Sequence, residues 1–138
     1  MKVTFENEES LLQTTSILLT IPSFYGLYYK NYQMAIPGLI GSGVSYLFWV
    51  HPTFGLRRNI DLLYQPILST YFLIQGNLNS KNKKNSIIGD IFFTSAMILF
   101  KKSHQTYQAK DRFWYIYHSL FHVAMMGSSY FAYKTQIN

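Results

Sequence analysis

Long stretches of this chain carry no charge, and that constrains its fold more than any motif does. Residues 10–29, 31–56, 62–80 and 113–133 contain no Asp, Glu, Lys or Arg, and residues 85–100 contain only Asp90. The charges gather in short clusters between these runs. Only 13% of the 138 residues are charged, and 18% are aromatic. An ordinary soluble domain carries about 25% charged residues. A transmembrane helix needs about 20 mostly apolar residues. The pattern therefore predicts an all-α fold, a multi-pass transmembrane bundle of about five helices. These are expected near 11–29, 33–51, 60–76, 86–101 and 112–133, in one integral membrane domain over residues 1–138. The mean hydropathy is only +0.02. Tyr and Asn lower that average, although Tyr suits membrane interfaces.

Other classes fall away on composition. The chain has no cysteine, which excludes disulfide scaffolds, zinc fingers and thiol enzymes. It is too apolar to be a disordered protein. Twelve basic residues against six acidic ones leave a net charge of +6, but the basic residues form no stripe. The aromatics lie in the apolar runs, so nucleic acid is not an expected partner. Glu6, Glu8 and Glu9 stand where a signal peptide would be basic, and the first helix is expected to be retained. Pro22 should bend it. The expected connections are 30–32, 52–59, 77–85 and 102–111. The pairs Gly38/Ser42 and Gly41/Ser45 in the second helix, and Ala124 and Ser128 in the last, have the small-residue spacing that lets helices approach closely in lipid.

Five helices fix a topology. If the chain starts on side A of the membrane, His51 returns to side A and Asp61 leaves from it. The last helix also starts there. His118 and His122 then lie roughly 9–15 Å below its start, at 1.5 Å per residue. Being four apart, they share one face. A catalytic zinc takes three protein ligands and keeps one position for water. His51, His118 and His122 are the candidate ligands, and Asp61 is the candidate to orient or deprotonate the water. Ionisable residues inside a membrane are costly and tend to be functional.

The stretch SYLFWVHPTFGLRRNIDLLYQPIL, with the later YHSLFHVAMMGSSY, resembles the alkaline ceramidase / PAQR (CREST) superfamily of membrane hydrolases. The chain looks like a reduced relative. His51 and Asp61 match a His at one helix end and an Asp about ten residues on. His118 and His122 match the HxxxH of the family's last helix. The resemblance implies zinc on the three histidines and hydrolysis of a lipid amide or ester bond. It departs from the family in having five helices rather than seven. It also has Leu47 where the family has a Ser four residues before the first His; Ser45 is the candidate to supply that serine.

Other readings stay open. His51 with His118 or His122 could ligate a haem. Asp61 could cap its helix or pair with Arg57 or Arg58. Asp90 reads as an acid near a helix N-terminus, and His104 as an exposed loop residue. The chain could instead be a structural subunit of a large membrane assembly, organellar or viral, or form a homo-oligomer. Its histidines would then bond neighbouring helices. Basic clusters on both sides point to anionic lipid headgroups as partners. Side A is slightly richer in them, which predicts a cytoplasmic N-terminus.

Overall fold

The structure, a computed structural model, describes residues 2, 4 and 8–137. Glu6 lies outside the described residues. The fold is all-α. Its helices are α1 (Glu9–Leu18), α2 (Thr20–Tyr28), α3 (Tyr32–Val50), α4 (Leu56–Leu78), α5 (Lys83–Gln108) and α6 (Trp114–Ile137). The first two are halves of one interrupted helix, so the bundle has the five helices expected. The break falls at Leu19, where the backbone N–H bonds Ser16 O instead of continuing the α pattern. Pro22 explains it. Proline has no N–H to give the carbonyl four residues back, and that residue is Leu18, the last of α1.

Charge misplaced several expected boundaries. The expected fourth helix, 86–101, is really α5, and at 26 residues it is the longest. It runs through Lys101, Lys102 and His104 because lysine is a good helix former and its charge can face outward. His104 is exposed as expected, but on a helix and not in a loop. α4 begins at Leu56 and not near 60, so Arg57 and Arg58 are helical. Asp90 lies in the third turn of α5, where it accepts from Asn77 Nδ2 at 2.9 Å. Among the described residues, no helix is long and apolar enough to cross a membrane. Hydroxyl residues recur along every helix, joined by amides or charges on several, and lower the average.

The helices are joined by polar side chains bonded to backbone carbonyls. Ser42 on α3 donates to Ser16 O at 2.6 Å, and Gln13 on α1 donates to Trp49 O at 3.0 Å. From α4, Tyr64 donates to Pro37 O at 3.1 Å and Gln65 to Gly41 O at 2.8 Å. Tyr71 donates to Gln33 O. That carbonyl lies four residues before Pro37, so proline leaves it without its helical partner. The small residues of α3 make these approaches possible. A Cβ at Gly41 would collide with Leu68, and one at Gly38 with Ser23.

α5 and α6 pack along their length as a long hairpin. Phe92 stacks on Phe131 at 5.8 Å between centroids, and Ala96 packs with Ala124 and Met125. At the end of α6, Thr135 O accepts from Lys81 N and Asn82 N, and Thr135 Oγ1 donates to Asn82 O. At the other end of the bundle, Lys2 pairs with Glu9, and Thr4 Oγ1 donates to Glu9 at 2.7 Å.

Two outcomes are expected. A Cβ at Gly26 would strike the fully buried ring of Tyr133, whereas one at Gly43 would meet nothing within 4 Å. Gly26→Ala should therefore lower stability by about 1–3 kcal/mol, the usual cost of overpacking, and Gly43→Ala should not, as measured by thermal unfolding. Second, the Lys2 ammonium, and after it the Thr4 hydroxyl, hold the Glu9 carboxyl down from 4.5 to about 2. A depressed carboxyl stabilises the fold above its ordinary value and loses that contribution as pH falls through the lower one. An NMR titration of Lys2→Ala should show Glu9 moving up toward 4.5.

Candidate functional site

α4 is tied to α3, and α5 to α6. α4 and α5 make little contact with each other. Their hydrogen bonds cluster at the connecting loop, where Asn77 joins Asp90 and Ser86. Away from that loop the two pairs enclose a cavity of about 200 Å³. The exposed residues of its lining all lie on α4 and α5: Leu62, Pro66, Thr70, Met97 and Phe100. The cavity thus opens sideways between these helices, through a mostly apolar rim.

Four residues singled out in the sequence, Ser45, Asp61, His118 and His122, line this cavity. Asp61 reaches it because α4 starts early. The residue falls in the second turn, faces inward and is 8% exposed. Arg57 and Arg58 do not pair with it. Among the described residues the ion pair is Lys2–Glu9, and the Arg58 guanidinium lies over Phe54 instead. Asp61 Oδ1 accepts from Gln65 Nε2 at 3.0 Å.

His118 and His122 sit one turn apart on α6, with ring centroids 4.9 Å apart and planes at 79°. His122 is buried, and its Nδ1 is 2.9 Å from Thr15 Oγ1. Thr15 Oγ1 also lies 3.0 Å from Leu11 O and 3.2 Å from Leu12 O. A hydroxyl has one proton, and here a carbonyl takes it. Thr15 then accepts from Nδ1–H, which makes His122 Nε2 a lone-pair acceptor. His118 Nδ1 is 3.3 Å from Ser103 Oγ. Trp49 at 5.2 Å, Phe121 at 5.4 Å and Trp114 at 6.1 Å surround the His118 ring.

His51 and the serine depart from the expected chemistry. α3 ends at Val50, and His51 is exposed just beyond it, outside the cavity lining. Among the described residues, no three His, Cys, Asp or Glu side chains are grouped to hold a metal ion. His51 thus stands outside the cavity that His118 and His122 line, and the three are not drawn together as a ligand set among the described residues. Ser45 Oγ is 3.1 Å from Ser16 Oγ and bonds no histidine or carboxylate. Among the described residues, no base bonds it of the kind that activates a serine nucleophile.

The partners of these groups were not legible in the sequence. Thr15 is 107 residues from His122, and no spacing rule joins them. Gln65 had a local signal, since it stands four residues after Asp61 on one helix face. Comparison with protein-family models, curated proteins and solved structures gives no match.

Thr15→Val should leave the buried His122 donor without an acceptor and cost about 1–3 kcal/mol, while Thr15→Ser should retain most of the stability. His51→Ala, at an exposed position, should change stability by less than about 0.5 kcal/mol. Thermal unfolding of the three variants side by side checks both statements.

Proposed function

We propose that this chain is a membrane-embedded helical bundle that admits the apolar part of a lipid-like molecule into its lateral cavity. One observation supports the reading above others: the branched aliphatic side chains face outward, unlike those of a water-soluble domain. Isoleucine and valine are usually among the most buried residue types. Here, among the described residues, no isoleucine or valine is buried, and Leu12 is the one buried leucine. The buried positions hold aromatics, methionines and alanines together with many hydroxyls, such as Ser16, Ser42, Ser45, Ser103 and Thr135.

A hydropathy average counts every residue of a helix alike. Lipid meets only the outward face. On α4 that face carries Ile60, Leu63, Ile67, Ile74 and Leu78, and on α5 it carries Ile87, Ile91 and Ile98. Polar groups turned inward and bonded to carbonyls are acceptable in a bilayer, because each is satisfied within the protein. The resemblance to lipid hydrolases agrees with a lipid ligand. Binding alone is proposed: His51 is exposed outside the cavity, and Ser45 bonds Ser16.

The same outward faces suit a structural subunit covered by partner helices, and the test separates the two. The protein should stay in the membrane pellet through an alkaline carbonate wash and leave it as a single species in mild detergent. Ile67→Lys should reduce the carbonate-resistant fraction, because a lysine at a helix centre costs about 3 kcal/mol of insertion. On a water-exposed face the same change would be nearly neutral. Release by carbonate with a neutral Ile67→Lys would overturn the membrane reading. Co-extraction only with other proteins would favour the assembly subunit.

A further inference from the structure

Several polar groups of the cavity have their protons already committed. Gln65 uses its two N–H bonds on Gly41 O and Asp61 Oδ1. Ser42 donates to Ser16 O, and Ser69 donates to Gln65 O. His122 gives its Nδ1–H to Thr15 and turns a lone pair the other way. What these groups still offer is acceptor capacity. The strongest acceptor is the Asp61 carboxylate, which is nine-tenths buried and takes one hydrogen bond. Among the described residues, no Lys or Arg lines the cavity. An ionised carboxylate in that setting is unfavourable until a cation or several donors reach it.

We infer that the ligand supplies them: the cavity is built for a cationic amphiphile, a protonated amine at Asp61 whose apolar tail leaves between α4 and α5. An ammonium brings three donors and no acceptor, the complement of the Asp61 carboxylate and the acceptors beside it. The rings of Phe72, Phe93, Phe100 and Phe121 complete the walls, and aromatic rings attract cations. The tail passes the rim of Leu62, Pro66, Met97 and Phe100 to reach the lipid. A fatty acid is disfavoured, because its carboxylate would face Asp61 with no cation between them. This inference rests on the reading above that the cavity admits a lipid-like molecule.

The test uses three twelve-carbon probes that share one photoreactive group and differ in head: an amine, an alcohol and a carboxylate. Each is crosslinked to the full chain in membranes, and adducts are mapped by mass spectrometry. The amine should label α4, α5 and α6 residues of the cavity about tenfold more than the alcohol, the scale of one charge-assisted hydrogen bond. The carboxylate should label least. Asp61→Asn should lower amine labelling to the alcohol level, and Asp61→Glu should preserve the preference. Unchanged thermal unfolding in both variants ensures that the comparison reports binding. Equal labelling by amine and alcohol, or an undiminished preference in Asp61→Asn, would overturn the amine assignment and leave the lipid cavity standing. No cavity labelling by any probe would remove the cavity reading itself.

Discussion

The close approach of α3 to its neighbours is the contact on which the rest of the structure depends. Gly38, Gly41, Ser42 and Ser45 are buried along one side of it. With so little side chain there, α1 and α4 come near enough for Ser42 to reach Ser16 O and for Gln65 to reach Gly41 O. Larger residues would separate the backbones. The polar groups that now join helices would then be buried without partners, each at a cost of about 1–3 kcal/mol. The small residues and the interhelical bonds are therefore one device.

The cavity follows from how those bonds are distributed. α4 is committed to α3 by Tyr64, Gln65 and Tyr71, and α5 is committed to α6 by Phe92, Ala96 and Ser103. Little is left to hold α4 to α5 beyond the loop between them. The gap collects Asp61 from one pair and His118 and His122 from the other. Its polar chemistry and its lateral opening have the same origin.

Particular residues show how far the sequence could be read. The five helices were legible because each uncharged run is long enough to form one and a charged cluster separates it from the next. The interruption near Pro22 was legible because proline acts locally. The helix ends were not, since Arg57, Arg58, Lys101 and Lys102 looked like boundaries. A charged side chain can extend away from a helix that continues beneath it. The HxxxH pair was legible because a spacing of four places two residues on one face. The third histidine was not, because a residue at the end of a run gives no sign whether the helix will carry it inward. His51 falls one residue past the end of α3 and points to the surface.

The sequence by itself determined the all-helical class, the number of helices and the separation of charge from long apolar runs. Each of these depends on local pattern and length. Tertiary structure alone decided that serines, threonines and Asp61 turn inward while isoleucines turn outward. It also decided that Thr15 meets His122 across 107 residues and that α4 and α5 part beyond their connecting loop to leave a cavity. These outcomes depend on which backbone carbonyls lie within about 3 Å of a given donor. Only the packed helices set that distance.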